Sequence, residues 1–373
     1  MTDEGRGSKQ RRWTSIAYAI AFVGLLALPL LTAPFFADSE RATEKRLAVG
    51  FPTLFVGLEN FSSEFENWFE DHFGLRSSMI RFYRQLRFEL GLGETGINRV
   101  VQGKEDWLYL AGGGRSDPLQ TYSGANMFAE DELDHLQSYF ERWKLWLEAQ
   151  GSSLYVLIVP NKVSIYPEYL PDRFQRSPYG TRTEQFLERM RVSNVPVVFP
   201  ITDLIEAKIG GSDLYFKLDT HWNGRGAWIG YSALIRSIDE ASQFSVSDFR
   251  FVENRRESRD LSDMLGIESA WKDSDFTVEL ENGEWPVGEG DWMALRGKRY
   301  HLSVNDFSLP KVLVVHDSFM GPMARLLARH FLETELVFEN SPRKSLVLEI
   351  RPDIVIWEFS ERNLHQLLSQ PIP

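Results

Sequence analysis

Short apolar runs that alternate with helical patterns, beginning near residue 100, constrain this chain more than any other feature. WLYL at 107–110, LYVLIVP at 154–160, VPVVFP at 195–200, KVLVVH at 311–316 and DIVIWEF at 353–359 have the length of strands and little polar alternation. Between them, apolar residues recur at helical spacing over about 129–149, 181–193, 224–239 and 320–331. Strands apolar on both faces and separated by helices predict an α/β fold: a mostly parallel sheet with helices on both faces. Sheets of that kind place their sites at the carboxyl ends of strands.

With 373 residues, 43% of them hydrophobic, the chain has the material for a large core. A net charge of -12 without a basic stripe argues against nucleic acid as a partner, because duplex binding relies on lysine and arginine neutralising phosphates. The chain has no cysteine, so any covalent catalysis must use another nucleophile, and thiolate metal sites are excluded.

The amino-terminal part has its own character. An uncharged run from Trp13 to Ala37 is long enough, as a helix, to cross a bilayer core of about 30 Å. Arg6, Lys9, Arg11 and Arg12 precede it, while Asp38 and Glu40 follow. By the positive-inside rule, residues 1–12 form a cytoplasmic tail, 13–37 a single transmembrane anchor, and the rest lies outside the cytoplasm. A cleaved signal peptide is the competing expectation, against which the length of the run argues. Residues 38–95 read as a juxtamembrane linker followed by two amphipathic helices, with Gly74 as the break between them. The main domain is expected over 96–373, with a polar, glycine-rich and acidic insertion at about 243–309.

Two segments carry the chemistry, LYFKLDTHWN at 214–223 and KVLVVHDSFMG at 311–321. In the second, an apolar strand runs directly into Ser318 and a helical pattern follows. That layout exposes a serine oxygen at a strand-to-helix turn, where backbone amides face a developing oxyanion. A serine needs a general base, and histidine suits that role near neutral pH. His221 is the candidate base. With 219–221 extended, Asp219 points to the same side as His221 and is placed to fix its tautomer. An Asp two residues before a His is common, so the spacing alone is weak.

These residues also carry a resemblance. Asp219-Thr220-His221-Trp222 and His316-Asp317-Ser318-Phe319 resemble the motifs of the AlgX/AlgJ family of alginate O-acetyltransferases, which have an SGNH hydrolase-like domain. GKEDWLYL at 103–110, VPNKVSIYPEYLP at 159–171 and the segment from Glu358 to Leu364 match in the same order, so the resemblance spans roughly 55–370. It implies an SGNH-hydrolase-like, flavodoxin-like domain with Ser318 as nucleophile, His221 as base and Asp219 as its orienting acid, with no cofactor and no metal. Asp317 is then a structural residue of the turn. It further implies acetyl transfer to an extracytoplasmic polysaccharide, alginate or similar. A membrane-bound O-acyltransferase partner would supply the acetyl group, and the domain would work in the periplasm from a single-pass inner-membrane anchor. His316 departs from the glycine that precedes Asp-Ser in many SGNH proteins, and the glycine and asparagine blocks of the oxyanion hole have no clear counterpart.

Other residues have plainer expectations. Asn161 and Lys162 follow a strand and face the site to meet an acidic sugar, or else sit in a solvated loop. Trp222 packs beneath His221 or stacks on sugar. His316 is a core histidine under the turn, and Glu361 and Arg362 form an ion pair at a helix start. Asp219, His221, His316 and Asp317 are together a metal-binding alternative. The residues leave open whether the acceptor is a sugar hydroxyl or water, which would make a carbohydrate esterase, or whether the domain is a non-catalytic scaffold.

Overall fold

The computed structural model describes residues 99–239, 248–257, 260–265, 272–281, 283–288 and 299–371, together with 58–72 and shorter stretches before residue 91. The chain divides into two compact units, residues 1–90 and 91–373.

In the first unit, the helix Leu58–His72 brings Phe61, Phe65, Trp68 and Phe69 onto successive turns, as the amphipathic spacing predicts. The Phe51 ring meets Trp68 edge-on at 4.8 Å, and Phe65 lies 5.6 Å from the same indole. Most of the second expected helix falls outside the described residues. Of the apolar run, residues 15–25 are helical and exposed, while 29–37 lie outside the described residues, as does the tail at 1–12. Among the described residues, no helix is long and apolar enough to cross a membrane.

The second unit is built on a mixed seven-stranded sheet. In chain order the strands are β1 (Val100–Gln102), β2 (Leu108–Leu110), β3 (Ser153–Val159), β4 (Val197–Val198), β5 (Phe249–Glu257), β6 (Lys272–Leu280), β7 (Val287–Gly288), β8 (Arg299–Ser303), β9 (Lys311–His316), β10 (Glu333–Phe338) and β11 (Ile354–Ser360). The sheet order is β4-β3-β11-β9-β10-β8-β7. The five strands from β4 to β10 run parallel, and β8 and β7 add an antiparallel edge.

The central strands separate two cores. Leu157, Val159, Val312, Val314, Leu336 and Ile356 point to one face, where the helix Gly224–Ile238 packs. Val156, Ile158, Leu313, Val315, Val355 and Trp357 point to the other, against the helices Glu130–Ala149 and Arg182–Met190. Side chains alternate across a strand, so apolar residues at every position are required when both faces are covered. This is the arrangement the uninterrupted apolar runs predict.

Three expectations are corrected. WLYL does not enter the main sheet; β2 pairs only with β1, its neighbour in sequence, in a separate two-stranded ladder. The helix expected over 320–331 is shorter, a 3-10 turn Gly321–Met323 followed by the helix Ala324–Ala328. The segment expected as an insertion contributes β7 and β8 to the main sheet and holds a separate hairpin, β5 against β6.

Candidate active site

Ser318 stands just beyond the carboxyl end of β9, between the parallel neighbours β10 and β11. The turn that carries it is held by Asp317. Its Oδ1 accepts from the Phe319 N–H at 3.0 Å, and its Oδ2 accepts from the Ser360 N–H at 2.8 Å and the Asn363 amide at 3.1 Å. One carboxylate thus closes the turn on itself and ties it to the end of β11. The Asp317 N–H donates to the buried Glu358 at 3.0 Å. Burial, reinforced by the charge of Asp317, pushes the Glu358 carboxyl well above its usual range.

The histidine arrives on a tight loop rather than on an extended strand. Tyr215 and Trp222 form an isolated antiparallel bridge, and Phe216 and Asn223 donate backbone hydrogen bonds to His221 and Leu214. The Asn223 side chain then caps the helix Gly224–Ile238 through the Arg225 and Gly226 N–H groups. Trp222 anchors the loop to the nucleophile turn, its indole N–H donating to the Phe319 carbonyl at 2.8 Å. The Phe319 ring lies 4.5 Å from the imidazole.

His221 Nε2 lies 2.7 Å from Ser318 Oγ, and Nδ1 lies 2.6 Å from Asp219 Oδ1. With Nδ1–H donating to the carboxylate, the Nε2 lone pair is left to accept from the serine hydroxyl. Asp219 Oδ1 also accepts from the His221 N–H and Oδ2 from the Asp260 N–H. Burial works to raise the Asp219 pKa, but the hydrogen bonds and charge of His221 outweigh it and hold this carboxyl well below the usual range. The sequence-predicted Ser318, His221 and Asp219 are thus brought together in one hydrogen-bonded row.

The segment expected as a surface insertion braces this row. Asp260 Oδ2 accepts from the Thr220 hydroxyl and lies 4.0 Å from His221 Nδ1. Asp273 accepts from the Lys217 and Leu218 N–H groups at 3.0 and 2.8 Å. Neither aspartate has a signature in sequence, since single acids in a polar stretch look alike. Among the described residues, ligand atoms of Asp219, His221 and Asp260 lie within 4.8 Å of one another. A divalent cation there would take the Nδ1 lone pair, displacing the proton that links His221 to Asp219. The four-residue metal alternative does not assemble: His316 is fully buried, and its Nδ1 lies 2.7 Å from the Asp317 carbonyl.

Residues 100–283 match the family model for the SGNH hydrolase-like domain of the acetyltransferase AlgX. The chain is AlgX/AlgJ-like. The probable alginate O-acetylase AlgJ of Pseudomonas syringae pv. tomato is 24% identical, over 94% of this chain and 88% of that protein. Its namesake from Pseudomonas putida is 25% identical, over 95% and 90%. The structure of Bacillus cereus PatB1 shares the fold, with a TM-score of 0.54 over 74% of this chain and 98% of PatB1 at 14% identity.

In this AlgX/AlgJ-like domain, two residues expected on the substrate side are interior. Lys162 donates to the Phe216, Lys217 and Asp219 carbonyls at 3.0, 2.9 and 2.7 Å, so it fastens the histidine loop and has no donor left for a sugar. Burial pulls its ammonium down to about 7, against the pull of Asp273, Asp219 and Asp260. Trp222 is fully buried and offers no face for stacking. Asn161 is buried but lines a small pocket beside Thr220. Glu361 and Arg362 do not pair; the Glu361 carboxylate turns inward to the Asn161 N–H and the Ser164 hydroxyl.

Proposed function

We propose that this chain is an O-acetyltransferase that moves acetyl groups onto hydroxyls of an extracytoplasmic polysaccharide, alginate or similar, through an acetyl ester on Ser318. The observation that carries the reading is the row Ser318–His221–Asp219, at 2.7 and 2.6 Å, at the carboxyl end of a central strand. The names of the AlgJ relatives support the choice of acetyl transfer and of alginate.

Ser318 attacks the carbonyl carbon of the acetyl donor while His221 Nε2 takes the hydroxyl proton. The new C–O bond forms as the donor's bond to the acetyl group breaks, and His221 returns the proton to the leaving group. In the second half, the acceptor hydroxyl gives its proton to His221 and attacks the ester, and Ser318 recovers its proton. Asp219 stabilises the imidazolium formed in each half; its depressed pKa keeps it ionised for this role. The Ser318 N–H, at the start of the turn, serves the developing oxyanion.

The basic residues before Trp13 and the uncharged run after them support anchoring in the inner membrane, with the acetyltransferase in the periplasm. Acetyl-coenzyme A is cytoplasmic, so a membrane-bound O-acyltransferase partner is proposed to pass the acetyl group outward.

Purified wild-type chain, given an acetyl donor without acceptor, is expected to gain one acetyl group on the peptide containing Ser318, read by mass spectrometry. Ser318→Ala and His221→Ala are each expected to lower transfer by at least about a thousandfold, and the double variant by little more, because the residues act as one unit. Unimpaired transfer by Ser318→Ala would overturn the acetyl-serine route.

A further inference from the structure

The Nδ1 edge of His221 looks onto more than one oxygen. Asp219 Oδ1 is nearest at 2.6 Å, but Thr220 Oγ1 follows at 3.4 Å and Asp260 Oδ2 at 4.0 Å. The Thr220 hydroxyl donates to that same Asp260 oxygen, so it turns only lone pairs toward Nδ1 and carries the influence of the carboxylate to it. Two acceptors, one the Asp219 carboxylate and one a hydroxyl backed by Asp260, therefore converge on the side of the imidazole that faces away from Ser318.

The position of Asp260 is built into the fold. The short helix Asp260–Leu265 buries Leu261 completely, and its Ser262 N–H donates to the Leu218 carbonyl at 3.1 Å. The Asp260 N–H donates to Asp219 Oδ2 at 3.2 Å. The backbone of this helix is thus tied to the histidine loop at two consecutive residues. A side chain needed only to fasten the Thr220 hydroxyl could be a neutral amide, which accepts a hydrogen bond as well; what the carboxylate adds is charge.

The chemistry calls for negative charge at this place twice, since His221 becomes an imidazolium in each half of the reaction. Asp219 does not serve that cation alone. Lys162 donates to the Asp219 carbonyl at 2.7 Å, and its ammonium feels the pull of Asp273, Asp219 and Asp260 together. On another side the Phe319 ring covers the imidazole at 4.5 Å, with the Arg362 guanidinium 5.3 Å from the centroid of that ring, so there too a cation is the neighbour. The Asp260 side chain is 27% exposed, which leaves solvent to weaken its field at 4.0 Å without cancelling it.

We propose that Asp260 is a second carboxylate support for the imidazolium, a positioning residue that acts through His221 with Thr220 as the link. Asp219 fixes the tautomer, and Asp260 shares the stabilisation of the positive charge. Asp260 makes and breaks no bond; the proton taken from Ser318 or from the acceptor stays on His221 until it is returned. The inference rests on the transferase reading for those two proton transfers, and it gives a part in them to a segment that the sequence presents as a surface insertion.

The test separates charge from fastening. Phenylmethanesulfonyl fluoride modifies a base-activated serine without acetyl donor or acceptor, so its rate of labelling Ser318 in the full chain in detergent reads the base directly. Asp260→Asn keeps an acceptor for the Thr220 hydroxyl and removes the charge. It is expected to slow labelling roughly ten- to hundredfold, and to lower kcat for acetyl transfer by a similar factor with KM for the sugar unchanged, at temperatures where the variant is fully folded. Asp260→Glu should recover part of the rate, and Thr220→Val, which keeps the charge, should slow labelling less than Asp260→Asn does. In an Asp219→Asn background, where Asp260 is the remaining carboxylate, Asp260→Asn should cost a larger factor than in wild type. Labelling unchanged in folded Asp260→Asn, or a factor in the Asp219→Asn background no larger than in wild type, would overturn the inference and leave Asp260 as a fastening of the loop. Absence of labelling in wild type would overturn the base and its support together. Labelling that depends on Asp260 in a chain that transfers no acetyl group would count against the transferase reading alone.

Discussion

Single residues here do work that their type does not announce. Lys162 is a lysine at a strand end, where a ligand contact is the natural expectation, yet its three donors all go to carbonyls of the loop that carries His221. Lys162→Met should therefore leave three interior acceptors short of donors. The expected cost is about 3 kcal/mol or more, with activity falling alongside the melting temperature and KM for the sugar unchanged. A raised KM at unchanged stability would place the ammonium on the substrate instead. Glu358 yields a pH dependence. Its carboxyl is raised above the unfolded value of about 4.3, so the folded state holds a proton that the unfolded state releases. Its contribution to stability is complete below that value and is lost as pH rises toward the folded pKa. Glu358→Gln mimics the protonated acid without titrating, so its melting temperature should gain on that of wild type between pH 5 and pH 8. A gap that stays constant across this range would show Glu358 ionised when folded. Ser318, His221 and Asp219 were legible in sequence because each sits in a compact motif at a strand end or loop tip. Asp260 and Asp273 were not, because their partners lie 40 or more residues away and polar segments give no period that would aim them.

At the scale of elements, the helix Gly224–Ile238 sets the depth of the histidine loop. Gly230 faces the Trp222 indole, and a Cβ added there would meet the ring at 2.5 and 2.6 Å. Nothing closer than a shift of helix or indole relieves that overlap, and the indole N–H holds the Phe319 carbonyl. Gly230→Ala should consequently lower kcat by roughly tenfold or more although residue 230 touches neither Ser318 nor His221, since small displacements of positioned groups are costly in rate. An unchanged kcat would show that Trp222 can slide without moving His221. The same scale explains which elements sequence reveals. β3, β9 and β11 are covered on both faces and so read as unbroken apolar runs. β10 begins Glu-Thr-Glu, and β8 alternates exposed and buried residues, so neither has that signature. β2 looks like a sheet strand but finds its partner a few residues upstream, a choice that pattern alone does not decide.

At the scale of the whole molecule, the charge and length of the amino-terminal apolar run set an expectation of topology, while the pairing of distant strands left no mark in the sequence. A periplasmically active reporter fused after residue 373 should be functional in cells, and a fusion active only in the cytoplasm would reverse the proposed orientation. The order of the strands adds a point about how such a protein comes into being. β3 pairs with β11 across 200 positions of sequence, and the strand that bears Ser318 lies between β11 and β10. While the ribosome is still working on the first 300 residues, β3 has only the two-residue β4 for company. Contacts so distant in sequence form slowly and late. For a chain proposed to be threaded through a membrane before it folds, the delay is useful. On that proposed route the serine is expected to meet its base only after β11 has been made and delivered, which would keep the proposed acetyl chemistry out of the compartment where the chain is synthesised.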